Sequence, residues 1–139
     1  MMETLTNNWW QILVASFAYF ALGGFWYSPA FLGKTWANGH GVKMDPELRK
    51  QTNMAKLFAL SFLCTVILST LVAHVCVNAH ASLLSNYLQS AVLVGLAGIA
   101  ALSMGFIYLQ KPMSIFLIDG LYHLIGCQLA ATIYYFLQI

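Results

Sequence analysis

Hydrophobic residues in this chain do not alternate with polar ones at the period of a strand; they come in four long runs separated by short polar breaks. The first, residues 9–28, carries no charge and is long enough for a helix that crosses a bilayer core of roughly 30 Å. Trp9 and Trp10 stand at one end and Trp26 and Tyr27 at the other, where amphipathic rings sit at the two headgroup levels. Pro29 then ends the helix, because the residue before a proline is pushed out of helical geometry. Further runs cover residues 55–78, 87–109 and 113–136. The pattern predicts an all-α membrane protein: a four-transmembrane-helix bundle with a longer cytoplasmic first loop, forming a single integral membrane domain over residues 1–139. The head of the first run bears Glu3 and no lysine, and its end reads GGFWYSP rather than small-x-small, so it is expected to remain as a span.

The polar breaks set boundaries and orientation. Between the first two runs, Phe31, Leu32, Lys34 and Trp36 suggest a segment lying along the membrane interface. Gly33, Gly39 and Gly41 read as loop residues there, and His40 as a solvated loop histidine. Asp45-Pro46-Glu47 is a helix start, with an N-cap acceptor, a proline at the first position and an acid at the positive dipole end; the helix is expected to run on to Asn78. Lys34, Lys43, Arg49, Lys50 and Lys56 cluster around the first loop and Lys111 marks the third, while the second loop has no basic residue. By the positive-inside rule the first and third loops of this multi-pass chain are cytoplasmic, and both termini lie outside.

Composition supports this reading. The chain is 60% hydrophobic and 7% charged, with a mean hydropathy of +0.75, whereas a soluble domain carries roughly 25% charged residues. A net charge of +2 is too small and too localised for nucleic-acid binding. Cys64, Cys76 and Cys127 fall at scattered positions without a CxxC pair, which argues against a disulfide framework.

Against that background the fourth run stands out. LIDGLYHLIGC, Leu117 to Cys127, places Asp119 and His123 four residues apart, on one face of a helix. Ionisable groups inside a membrane are costly and are candidates for function; the other reading is a hydrogen-bonded pair that locks helices together. With Tyr122 beside them they form the candidate intramembrane polar site. Asp119, His123, Gly126 and Ala130 share one stripe, expected to face protein. The third run is rich in small residues; Gly95, Gly98 and Gly105, together with Gly126, are candidates for close helix packing, because small side chains let backbones approach. His74, Cys76 and His80 are weak metal candidates: Cys76 and His80 are i, i+4, but His74 is offset around the helix. No metal site and no cofactor are expected. No Gly-rich phosphate loop, GxSxG elbow or HExxH helix supports an enzyme.

Two stretches, GGFWYSPAFLGKTW (Gly23 to Trp36) and IDGLYHLIG (Ile118 to Gly126), carry a resemblance that covers nearly the whole chain. With a WYSP element (Trp26, Tyr27, Ser28, Pro29), an FGK-x-W-like segment (Gly33, Lys34, Trp36, with Leu32 intervening) and a YHL element after Asp119, the chain resembles the bacterial membrane-protein family known as domain of unknown function 1761. The resemblance implies a four-span protein of about this length and brings no activity with it. Two functional classes stay open. One is a structural protein that assembles in the bilayer as a homo-oligomer or as a subunit of a membrane complex. The other is a proton-linked small-solute transporter or channel built on Asp119 and His123.

Overall fold

A computed structural model describes residues 2–42 and 53–139. The Asp45-Pro46-Glu47 start signal and the basic residues Lys43, Arg49 and Lys50 lie outside the described residues. Among those described there is no strand, and six helices follow one another: α1 (Met2–Asn7), α2 (Trp9–Trp26), α3 (Gly33–His40), α4 (Met54–Asn78), α5 (Leu84–Tyr108) and α6 (Met113–Leu137). The helices α4, α5 and α6 are each 25 residues long and apolar enough to cross a membrane. The 18-residue α2 is shorter and contains Gln11, Tyr19 and three tryptophans, which lower its hydropathy, and it falls outside that set.

Local chemistry explains the boundaries. The Asn53 side chain accepts a hydrogen bond from the Lys56 N–H at 3.0 Å, and its ψ of 87° is not helical, so α4 starts at Met54 instead of continuing a helix from Asp45. Pro112 sits at the N-cap of α6, where its missing N–H costs nothing. The links after α4 and α5 each use one left-handed residue, His80 and Gln110, both with φ of 49°. Between Phe31 and Gly41 the structure differs from the loop expected: α3 is helical, closed at its end by Gly41 with φ of 71°.

Helix α6 is the hub. It touches α2, α3, α4 and α5, and its contact with α5 is the most extensive in the bundle. Its buried face is built largely of small residues and tyrosines: Gly120, Tyr122, Gly126, Cys127, Ala130, Ala131 and Tyr134. A Cβ on Gly126 would overlap the Tyr19 ring of α2, and one on Gly95 would stand 2.9 Å from Leu124. Close approach at these two positions is what the absent side chains permit. Gly98 and Gly105 differ: no described residue lies within 4 Å of where their Cβ atoms would be, so neither is a close helix contact among the described residues.

Most polar groups inside the bundle are hydrogen-bonded along and across the helices; among the described residues Gln11 Oε1 and Ser69 Oγ are buried without a partner. Ser16, Thr70 and Thr132 each donate to the carbonyl one turn earlier. The Tyr134 hydroxyl crosses from α6 to the Ser69 carbonyl of α4 at 2.9 Å, and the Tyr87 hydroxyl reaches the Ile139 carbonyl at 2.7 Å. The outside is the apolar side: Phe17, Leu63, Ile67, Leu93, Ile107, Leu117 and Phe136 are all exposed. Small and hydroxylated residues within, large aliphatics and aromatics without, is the distribution expected where the solvent is hydrocarbon.

Gly126→Ala should destabilise the protein by about 1–3 kcal/mol, the usual range for overpacking, because the added methyl meets a tyrosine ring that is 0% exposed. Thermal unfolding in detergent reads this out; an unchanged midpoint would contradict the α2–α6 contact.

Candidate functional site at the end of the bundle

The turn after α2 decides what α6 meets. Within Tyr27 to Leu32 the Ser28 carbonyl accepts from the Phe31 and Gly33 N–H groups, and the Trp26 carbonyl accepts from Leu32 N–H. The chain thereby reverses, and α3 runs across the end of the bundle. Gly33 lies so close to the carbonyls of Tyr27 and Ser28, and Gly39 so close to the Ile115 side chain, that a methyl group at either would collide. On the far side the Lys111 ammonium donates to the His40 carbonyl at 3.4 Å, and the His40 ring lies 6.0 Å from that of Phe106. α3 therefore bridges the ends of α2 and α5, with α6 beneath it.

Under that bridge lies Asp119. Its Oδ1 accepts from the Tyr27 hydroxyl at 2.8 Å and from the Trp36 indole N–H at 2.9 Å, and its Oδ2 lies 3.4 Å from His40 Nε2. One residue earlier, the Ile118 carbonyl accepts from the Trp26 indole N–H at 3.1 Å. The donors are supported by ring contacts: Tyr27 and Trp36 meet edge to face at 5.4 Å, and the Trp36 and His40 rings lie tilted to each other at 4.6 Å. The Asp119 side chain is 14% exposed. A carboxylate with both oxygens engaged by its own chain is an acceptor whose capacity is largely used, an arrangement suited to holding helices together.

His123 has other company. Its Nδ1 shares a hydrogen bond of 2.8 Å with the Tyr19 hydroxyl of α2. Asp119 and His123 occupy one side of α6, as their spacing requires, yet each is matched to a group on another helix and they are not hydrogen-bonded to each other. Tyr122 packs among the rings of Tyr19, Trp26 and Tyr27, with centroid distances of 5.3, 6.4 and 5.1 Å. Tyr122 and His123 line a cavity of about 630 Å³ between α2 and α4; Asp119 is not among its lining residues.

The remaining sequence candidates are spread through the fold. Of the motif residues, Trp26, Tyr27 and Trp36 converge on Ile118 and Asp119, while Ser28, Pro29 and Gly33 shape the turn, and Lys34 is exposed. His74 bonds Thr4 and Asn78, Cys76 is buried, and His80 occupies the left-handed position after α4. Among the described residues no three His, Cys, Asp or Glu side chains gather as a metal site would require. Two participants were missed from sequence. His40 is an Asp119 partner and not a solvated loop residue, and Tyr19 is fully buried against His123. A phenol in the middle of an apolar run was the signal for Tyr19, because its hydroxyl needs a partner there.

A family model described as protein of unknown function (DUF1761) matches residues 10–135. No curated protein and no solved structure matches the chain.

Tyr27→Phe and Trp36→Phe should each cost about 1.5–3 kcal/mol, the range for a hydrogen bond to a charged group, and the double variant should lose more than the sum, because each single variant leaves the other donor on the shared Oδ1. Denaturation of the single and double variants in detergent measures both. Additive losses would show that the two donors act independently.

Proposed function

Because the chain belongs to the DUF1761 family, whose description names no activity, we propose from its own chemistry that it is a structural, self-assembling protein of the bacterial inner membrane. In this reading one membrane domain crosses the bilayer four times, with α2, α4, α5 and α6 as the spans, both termini outside, and α3 on the cytoplasmic interface. The observation that carries it is the Asp119 carboxylate, which is committed to Tyr27, Trp36 and His40 of its own chain. A proton relay or substrate-binding acid needs an oxygen within reach of its proton or ligand, and here both oxygens have partners. Self-association draws support from the second half of α5, where Met104, Ile107 and Tyr108 are exposed and no described residue lies within 4 Å of a Cβ placed on Gly98 or Gly105. A small-residue face of this kind suits close contact with a second copy or a larger membrane complex.

A second reading, proton-linked movement of a small solute, is favoured by one observation: His123 lines a cavity that the bundle does not fill. It requires Asp119 to exchange protons despite its pairing.

The two readings separate on Asp119→Asn. An amide retains a carbonyl acceptor for Tyr27 and Trp36, so assembly in mild detergent and any growth phenotype should survive; loss of a pH-dependent flux with assembly intact would favour transport instead. Gly98→Leu and Gly105→Leu should shift the assembly towards monomer in the same size measurement, and wild-type behaviour of both would remove the α5 contact.

Topology is checked independently by a cysteine at the exposed Thr35 position of α3. It should resist membrane-impermeant labelling in intact cells and react in opened ones; labelling from outside would invert the orientation.

A further inference from the structure

The cavity between α2 and α4 has a polar floor and an apolar wall, and the two together specify a ligand. Phe20 and Phe58 stand on its walls, with ring centroids 6.2 Å apart and edge to face, and Ser61 and Thr65 supply hydroxyls from α4. At the floor are Tyr122 and His123. Tyr122 is only 8% exposed, and its hydroxyl, 2.8 Å from where a Gly23 Cβ would stand, has no hydrogen-bond partner among the described residues. His123 Nδ1 is taken by Tyr19, and Nε2 likewise has no partner among the described residues. Neither atom is sealed inside the protein, and both residues line the cavity, so a ligand there can supply the hydrogen bond that the bundle does not.

We propose that this cavity binds a neutral, membrane-dissolved carbonyl compound of the quinone type, its carbonyl accepting from the Tyr122 hydroxyl and its ring lying against the wall that Phe20 and Phe58 form together. Four observations select this class. Among the described residues no lysine, arginine, aspartate or glutamate lines the cavity, so they offer a charged ligand no counter-charge. The free group on the tyrosine is a donor and asks for an acceptor. His123 lies ten residues into α6, about 15 Å along it, so the floor stands about half-way through a core of about 30 Å, while Pro29 and Met54, at the helix ends, line the other side. A volume of about 630 Å³ accommodates a ring with a short tail, within the range of roughly 300–1,000 Å³ usual for small-molecule sites. Entry is sideways, between α2 and α4, where Gly24, Phe58 and Ser61 are exposed. The inference rests on the membrane reading above, since only a lipid-soluble molecule reaches such a site.

The test uses the full chain, purified in mild detergent, titrated with a decyl-substituted benzoquinone and followed by quenching of tryptophan fluorescence; Trp26 lies 6.4 Å from Tyr122. Quenching should saturate at one quinone per chain. Tyr122→Phe keeps the ring and should weaken binding about tenfold, the factor supplied by one hydrogen bond of ordinary strength. Gly24→Leu fills the cavity mouth, and because nothing lies within 4 Å of a Gly24 Cβ it should remove saturable binding without disturbing the helical circular dichroism. Quenching that stays linear in quinone and equal in all three proteins is simple partitioning into the micelle and overturns the proposal. So does displacement of the quinone by dodecanoic acid with no dependence on Tyr122, which would assign the cavity to acyl chains. Either failure leaves the membrane reading standing, because the labelling of Thr35→Cys tests that separately.

Discussion

A carboxylate placed about 10 Å into an apolar helix must be met by donors, and that requirement organises one end of this molecule. Moving an ion of this kind out of water costs several kcal/mol even after relaxation. Three donors converge on Asp119 from two separate segments, Tyr27 at the end of α2 and Trp36 and His40 on α3. Hydrogen bonds to a charged acceptor are about twice as strong as neutral ones, so together they offset the desolvation. Trp36 and His40 could not arrive without the turn at Ser28 and Pro29 that folds α3 back over the bundle, nor without the close approaches at Gly33 and Gly39. The short helix is thus less a loop between spans than the lid that makes an aspartate tolerable beneath it.

Much of this was legible in the sequence, and the misses share a physical cause. The long apolar runs gave the three longest helices to within a few residues, because periodicity and length are local properties. Asp119 and His123 stood out because polarity inside an apolar run is conspicuous. What spacing could not tell was their partners. A four-residue interval places two side chains on one face, but each turned to a donor or acceptor brought in by α2 and α3. Trp26, Tyr27 and Trp36 invited a different misreading. Rings with one polar edge suit the headgroup level and suit equally well a buried contact in which the edge donates inward; only the fold of the intervening turn decides between them. His40 had no periodic signal at all, since its place depends on the α3 helix and the Gly41 cap.

The glycines make the same point about packing. Gly95 and Gly98 are one turn apart in the same small-residue pattern, yet Gly95 meets Leu124 and Gly98 meets none of the described residues. Spacing identifies a face, and the tilt of the neighbouring helix determines how far along that face the contact extends. α5 and α6 stay together along most of their length, but the buried positions of α5 end at Gly95 while those of α6 continue from Ile115 to Tyr134.

The aspartate site and the cavity are linked through the rotation of α6. Asp119 and His123 are one helical turn apart, and Tyr122 lies between them in sequence, so fixing Asp119 against Tyr27 and Trp36 fixes the direction in which the next turn projects. Tyr19 completes the restraint from α2, holding His123 at Nδ1 while its ring occupies the space left by Gly126. A helix anchored at both turns cannot rotate to bury the Tyr122 hydroxyl against a carbonyl of its own chain. The polar floor of the cavity therefore persists as a consequence of the pairing beside it: the interactions that make one polar group affordable are those that leave its neighbour without a partner.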